Sequence, residues 1–112
     1  MIQQATIKIT ENMRGGEGSV LAENLLTNEQ FNGKARLFAK MTLEPGCSIG
    51  YHEHHNESET YYILSGEADY SNNGKIEKVK AGDVTFTPDG EGHGIVNTGK
   101  EKLVFMALIL LD

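Results

Sequence analysis

The chain has 112 residues, of which 38% are hydrophobic and 23% charged, with sixteen acidic against ten basic side chains and a formal net charge of −6. Those values fit one ordinary globular domain over residues 1–112 and argue against a disordered chain. The scattered lysines form no basic stripe among aromatics, which argues against nucleic acid as a partner.

Thirteen glycines divide the chain into short β-rich runs, as an all-β domain with many tight turns requires. Residues 1–33 read as N-terminal strands and a connector. The opening MIQQATIKIT lacks the charged-then-apolar order of a secretory signal. Ala5–Thr10 alternates and predicts a strand. Glu11–Ser19, which contains Arg14-Gly15-Gly16-Glu17-Gly18, predicts an irregular polar connector. Ala22–Gln30 carries a trace of helical spacing, too faint to predict a helix. Lys34–Leu43 sets Ala35, Leu37, Ala39, Met41 and Leu43 against Arg36, Lys40 and Thr42, the period-2 pattern of a half-buried strand. Glu44-Pro45-Gly46 closes it with a turn.

Thr60–Leu64 and Glu67–Tyr70 predict two further strands, followed by Asn73-Gly74, a strong hairpin signal. Ile76–Lys80, Val84–Thr87, His93–Asn97 and Lys102–Leu111 complete the series. Leu103–Leu111 is apolar on both parities, whereas a strand with one wet face should alternate. It therefore needs cover on both sides, from a second copy of the chain or from the chain's own N-terminal segment. At nine residues it is far short of the roughly 20 that span a bilayer as a helix, so no membrane is expected. The single cysteine, Cys47, cannot form an intrachain disulfide and suits a reducing, cytoplasmic setting. It reads as a small half-buried side chain beside a turn.

One pattern carries chemistry. His52-x-His54 is followed by Glu59 and, further on, by His93. Three imidazoles and a carboxylate are a full set of protein ligands for a transition metal, with one or two positions left for water or substrate. Side chains two apart share a sheet face, so His52 and His54 point together and His55 points away. Glu59 lies an odd number of residues from His54 and returns to that face only if His55-Asn56-Glu57-Ser58 forms a loop or bulge. Glu57 is the fallback ligand if that loop is shorter. His93 arrives from a neighbouring strand, so the four can converge inside a small barrel.

The glycines and prolines around these residues give the order Gly46-x5-His52-x-His54-x4-Glu59-x6-Gly66, then Gly82-x5-Pro88-x-Gly90-x2-His93-x3-Asn97. Gly46, Gly66, Gly82 and Gly90 mark turns, Pro88 stiffens the approach to His93, and Asn97 ties down a turn by hydrogen bonding. This double motif, from Gly46 to Asn97, resembles the two motifs of the cupins at every position. The resemblance implies a cupin-type double-stranded β-helix, a small jelly-roll barrel. It implies that His52, His54, Glu59 and His93 bind a divalent transition metal (Mn, Fe, Ni, Zn or Cu) and that the chain forms a homodimer. The same donors accommodate several first-row ions, so the sequence does not choose among them.

By parity with Glu59, Tyr61 and Ile63 face inward, and by parity with His93 so does Ile95. Met41 and Phe86 or Phe105 are expected beside them as pocket lining. Tyr61 could orient a substrate, though core packing accounts for it equally well. No lysine or arginine falls on the inner face of the motif strands, and only Arg14 and Arg36, on other segments, could serve as a cationic anchor. A small dicarboxylate usually wants a cationic anchor, so this argues against an oxalate-like ligand. The expectation is a small metalloenzyme of dioxygenase, decarboxylase or isomerase type acting on a small molecule, with a non-catalytic small-molecule binding or sensing module as the alternative.

Overall fold

Ten strands form two antiparallel sheets in a computed structural model that describes all 112 residues. They are β1 (Thr6–Glu11), β2 (Ser19–Asn24), β3 (Ala35–Leu43), β4 (Ser48–Glu53), β5 (Glu57–Ser65), β6 (Glu67–Asn72), β7 (Lys75–Lys80), β8 (Val84–Thr87), β9 (Gly92–Asn97) and β10 (Leu103–Leu111). One sheet has the order β1-β2-β3-β10-β5-β8 and the other β4-β9-β6-β7. The core lies between them, as expected for a jelly-roll barrel.

The expected strands are present, and the period-2 reading of β3 places Ala39, Met41 and Leu43 in the core. The Asn73-Gly74 turn joins β6 to β7 with φ of 53° and 95°, both positive as a primed hairpin turn demands. Gly46, Gly66, Gly82 and Gly90 also take positive φ. Asn97 ties its turn as expected: its Nδ2 donates to the carbonyls of Leu43 and Glu101, each at 2.9 Å, and its Oδ1 accepts from the Gly99 amide at 3.0 Å. In the Ala22–Gln30 window β2 runs on to Asn24, and a single helical turn, α1 (Asn28–Phe31), follows. Thr27 and Gln30 cap that turn reciprocally, a local device that needs no apolar periodicity.

Leu103, Phe105, Ala107 and Ile109 of β10 are 3% exposed or less and fill the core, while Val104, Met106 and Leu108 on the other parity are only half-buried. The N-terminal strands do not cover that outer face. They extend the sheet edgewise, β2 pairing with β3 and β1 with β2. The outer face therefore stays open and apolar, and the registers place Tyr62, Leu64, Val84, Phe86 and Leu110 on it.

Candidate metal centre

The histidines converge because two strands and one crossing segment are held in register. On β4, Ile49 pairs with Ile95 and His52 with His93, so β4 spends three residues where β9 spends two. This bulge at Gly50-Tyr51 turns both Ile49 and His52 inward. His54 lies just past the strand. Its amide donates to the Glu91 carbonyl at 3.0 Å and its carbonyl accepts from the Gly90 amide at 2.7 Å, which ties the first motif to the second. Asn56, at φ 63°, reverses the chain into β5, so the turn ends earlier than expected and β5 already begins at Glu57. Parity is restored there, with Glu57, Glu59, Tyr61 and Ile63 all inward. His55 points to solvent beside Glu53, as expected of it.

Each imidazole has its Nδ1 occupied on the side away from the centre. His52 Nδ1 donates to the Gly50 carbonyl at 2.8 Å, and His54 Nδ1 donates to Glu57 Oε2 at 2.5 Å. His93 Nδ1 lies 2.8 Å from the Tyr70 hydroxyl, which is 3.0 Å from Thr87 Oγ1. A neutral ring that donates through Nδ1 presents Nε2 as a lone pair. The Nε2 atoms of His54 and His93 are 3.0 Å apart, and they lie 3.0 and 2.9 Å from Glu59 Oε1. His52 Nε2 is 3.9 Å from the same oxygen.

This arrangement fits a metal ion. Two facing lone pairs at 3.0 Å repel unless a cation or proton lies between them. Ligand bonds of about 2.0–2.1 Å put neighbouring donors about 3.0 Å apart at right angles and about 4.1 Å apart when opposed. Glu59 Oε1 shows both kinds of separation, 2.9 Å to His93 Nε2 and 3.9 Å to His52 Nε2. Burial raises the Glu59 pKa, but the His52, His54 and His93 rings gathered around it outweigh burial and hold the carboxyl well below the usual range. The Glu59 hydrogen bond, opposed by burial, raises the His54 pKa, whereas burial lowers that of His93. A carboxylate held ionised among imidazoles is the state that receives a divalent cation.

The cluster opens onto a cavity of about 450 Å³. Met41 and Tyr61 line it, and Tyr61 stacks on His93 with ring centroids 4.8 Å apart and packs on Phe105 at 4.4 Å. Three expectations need correction. Ile63 and Ile95 are buried in the core but do not reach the cavity wall. Phe86 is 58% exposed on the outer face: Glu59 pairs with Thr87 and Tyr61 with Thr85, so the threonines of β8 point inward and Phe86 outward. Glu57 is not a candidate ligand. It faces His54 Nδ1 and Arg36, on the far side of the ring from the donor cluster.

Arg14 and Arg36 could be named but not placed from the sequence, and Lys8 was not foreseen at all. Lys8, Arg14 and Arg36 all line the cavity. Arg14 sits in the N-terminal connector, on a short 3-10 turn over Met13–Gly15, in the left-handed conformation at φ 55°. That conformation costs a non-glycine residue on the order of 1 kcal/mol. Close packing against β4 holds it there: a Cβ at Gly50 would strike the Arg14 carbonyl, and one at Gly16 the Ser48 carbonyl. Ser48 fastens the same segment, since its hydroxyl accepts from the Glu17 amide at 2.8 Å. Arg36 reaches the cavity through a bulge in β3. Ile109 pairs with Leu37 and Leu110 with Ala35, which leaves Arg36 as the extra residue, freed from strict alternation.

A two-sheet barrel with this donor cluster defines a class of protein. The family profile described as "Cupin domain" matches residues 39–109, and the chain belongs to the cupin family. It is 54% identical over 100 residues to the oxalate-binding protein of Thermotoga maritima, covering 89% of this chain and 83% of that one. It is 36% identical over 79 residues to oxalate decarboxylase OxdC of Bacillus subtilis, covering 66% of this chain but only 20% of that enzyme. Among solved structures, a predicted oxalate decarboxylase from Thermotoga maritima superposes with a TM-score of 0.94 at 48% identity, over 100% of this chain and 99% of the other. A Klebsiella pneumoniae protein with a double-stranded β-helix domain superposes at 0.72 with 27% identity, over 82% and 72% of the two chains.

Proposed function

We propose that the protein binds a divalent transition metal through His52, His54, Glu59 and His93, and through it a small dicarboxylate of the oxalate class. When bound, the metal supplies open coordination positions for carboxylate oxygens. The observation that carries this reading is the meeting of three of those donors, His52, His54 and Glu59, with Lys8, Arg14 and Arg36 around one cavity, in a chain whose net charge is −6. Converging cations in an acidic protein select for an anion at that place. The names of the two relatives point the same way.

Binding is favoured over turnover by what the cavity wall lacks. Its carboxylate, Glu59, and its imidazoles, His52 and His54, belong to the donor cluster, and burial lifts the Tyr61 hydroxyl well above its ordinary pKa. No further side chain of the wall exchanges a proton readily near neutral pH, as protonation of a carbanion left by decarboxylation would require. The second reading, a small decarboxylase or related metalloenzyme, draws on the likeness to OxdC. Calorimetry with Mn(II)-loaded protein tests both: stoichiometric oxalate binding, weaker acetate binding and no formate or CO2 released support the first. Metal-dependent product release supports the second. Mn(II)-loaded protein that binds neither anion and forms no product refutes both.

The chain also works as a homodimer in this account. The open outer face of the β1-β2-β3-β10-β5-β8 sheet carries Phe86, Tyr62 and Leu110 at 58%, 46% and 47% exposure, and no segment of the chain covers them. A contiguous apolar sheet face is self-complementary across a two-fold axis. A cytoplasmic setting agrees with the unpaired Cys47.

A further inference from the structure

We propose that Arg36 is a positioning residue with two simultaneous tasks. It holds Glu57, and through Glu57 the His54 ring, while its remaining donors face the cavity for a ligand carboxylate. This rests on the reading of the cavity as a metal centre that takes a carboxylate ligand.

The three rings of the cluster are steadied by three different partners: the Gly50 carbonyl for His52, the Tyr70 hydroxyl for His93 and the Glu57 carboxylate for His54. Glu57 alone among them is charged. A carboxylate accepting from Nδ1–H fixes the tautomer and increases the electron donation available at Nε2. Glu57 is only 8% exposed, and a buried carboxylate needs a partner of opposite charge. Arg36 supplies it with both prongs: Nε donates to Oε1 at 2.6 Å and Nη2 to Oε2 at 2.7 Å. The hydrogen bond from Arg36, more than that from His54, draws the Glu57 pKa down to about 2.

A guanidinium has five N–H donors, and this pairing uses two. The Arg36 side chain is 44% exposed and forms part of the cavity wall, so the other three are free for a ligand. Lysine cannot replace it, because one ammonium cannot span both carboxylate oxygens and still present donors elsewhere. The bulge between Ala35 and Leu37 lets a residue from an outward position of β3 reach both places.

The test measures Mn(II) affinity by competition with a chelator, with no dicarboxylate present, for wild type, Glu57→Gln, Arg36→Lys and a distant surface control, Lys102→Gln. Loss of a charged partner behind a ligating histidine weakens metal binding roughly 10–100-fold. Glu57→Gln is expected in that range, Arg36→Lys in the same direction but smaller, and Lys102→Gln at the wild-type value. Cu(II) electron paramagnetic resonance should shift in Glu57→Gln, a signature that a role in folding alone would not produce. Oxalate titrated into each Mn(II)-loaded variant should lose affinity in Arg36→Lys. Wild-type Mn(II) affinity, within twofold, in both Glu57→Gln and Arg36→Lys overturns the proposal even if oxalate binds. If oxalate does not bind wild type while both variants still lose Mn(II), the dicarboxylate reading fails and the hold on His54 stands. Should Glu57→Gln lose its cooperative melt, Arg36→Lys decides, since its Glu57 keeps both charge and a partner.

Discussion

Replacing Glu59 by glutamine changes one charge and almost no volume, so it separates the metal centre from the packing around it. Glu59 is 4% exposed, and its Oε1 lies within 3.0 Å of two imidazole nitrogens. Without metal, Glu59→Gln exchanges charged hydrogen bonds for neutral ones, at a cost on the order of 1–2 kcal/mol. With metal the difference is larger. A ligand at one hundred times its Kd stabilises the folded state by about 2.7 kcal/mol. For a domain of this size that is roughly 10 °C or more in Tm. Thermal melts with and without excess Mn(II) read it directly: wild type gains that shift, and Glu59→Gln loses most of it. An equal Mn(II)-induced shift in Glu59→Gln would refute Glu59 as a ligand.

Other outcomes follow from the same coordinates. Phe105 is fully buried against Tyr61, so Phe105→Ala should cost about 3–5 kcal/mol in urea unfolding and, by loosening the Tyr61–His93 stack, weaken metal binding as well. Because the Glu57 pKa is depressed to about 2, its pairing contributes stability that is whole above the ordinary carboxylate pKa and is lost as pH falls toward 2. Arg36 is nearly half exposed and solvent screens the pair, so the loss should be about 1–2 kcal/mol, and Glu57→Gln should flatten that limb of the stability profile. The raised His54 pKa acts in the other direction: in metal-free protein its contribution is whole below about 6.5 and fades as pH rises through the folded value. Metal binding must displace that proton, so Mn(II) affinity should climb over the same interval. If the proposed dimer forms through the outer face, Phe86→Glu should yield a folded monomer in sedimentation, and a wild type already monomeric at high concentration would dismiss the interface.

Residues of regular strands were legible from the chain alone. Met41, Tyr61 and His93 obey period-2 alternation, and the motif spacing brought the four donors together without any knowledge of coordinates. The readings that failed lie where alternation breaks or where no period exists. Arg36 reads as a solvent-side residue until the β3 bulge is seen, and nothing local in Gly33-Lys34-Ala35-Arg36 announces one. Arg14 sits in a connector whose path is set by contact with Gly50, thirty-six residues away. Phe86 invites a pocket assignment by its hydrophobicity, yet the β5–β8 register turns it outward. Left unplaced, these cations made an oxalate-like ligand look unfavourable, and the two backbone irregularities are why they could not be placed.

Anomalous diffraction from crystals of the protein as purified, paired with elemental analysis of the same sample, tests the metal centre itself. About one transition-metal ion per chain is expected, as a single strong peak bounded by Nε2 of His52, His54 and His93 and by Oε1 of Glu59. Protein given Mn(II) that shows no peak there, or carries its metal elsewhere, would contradict it.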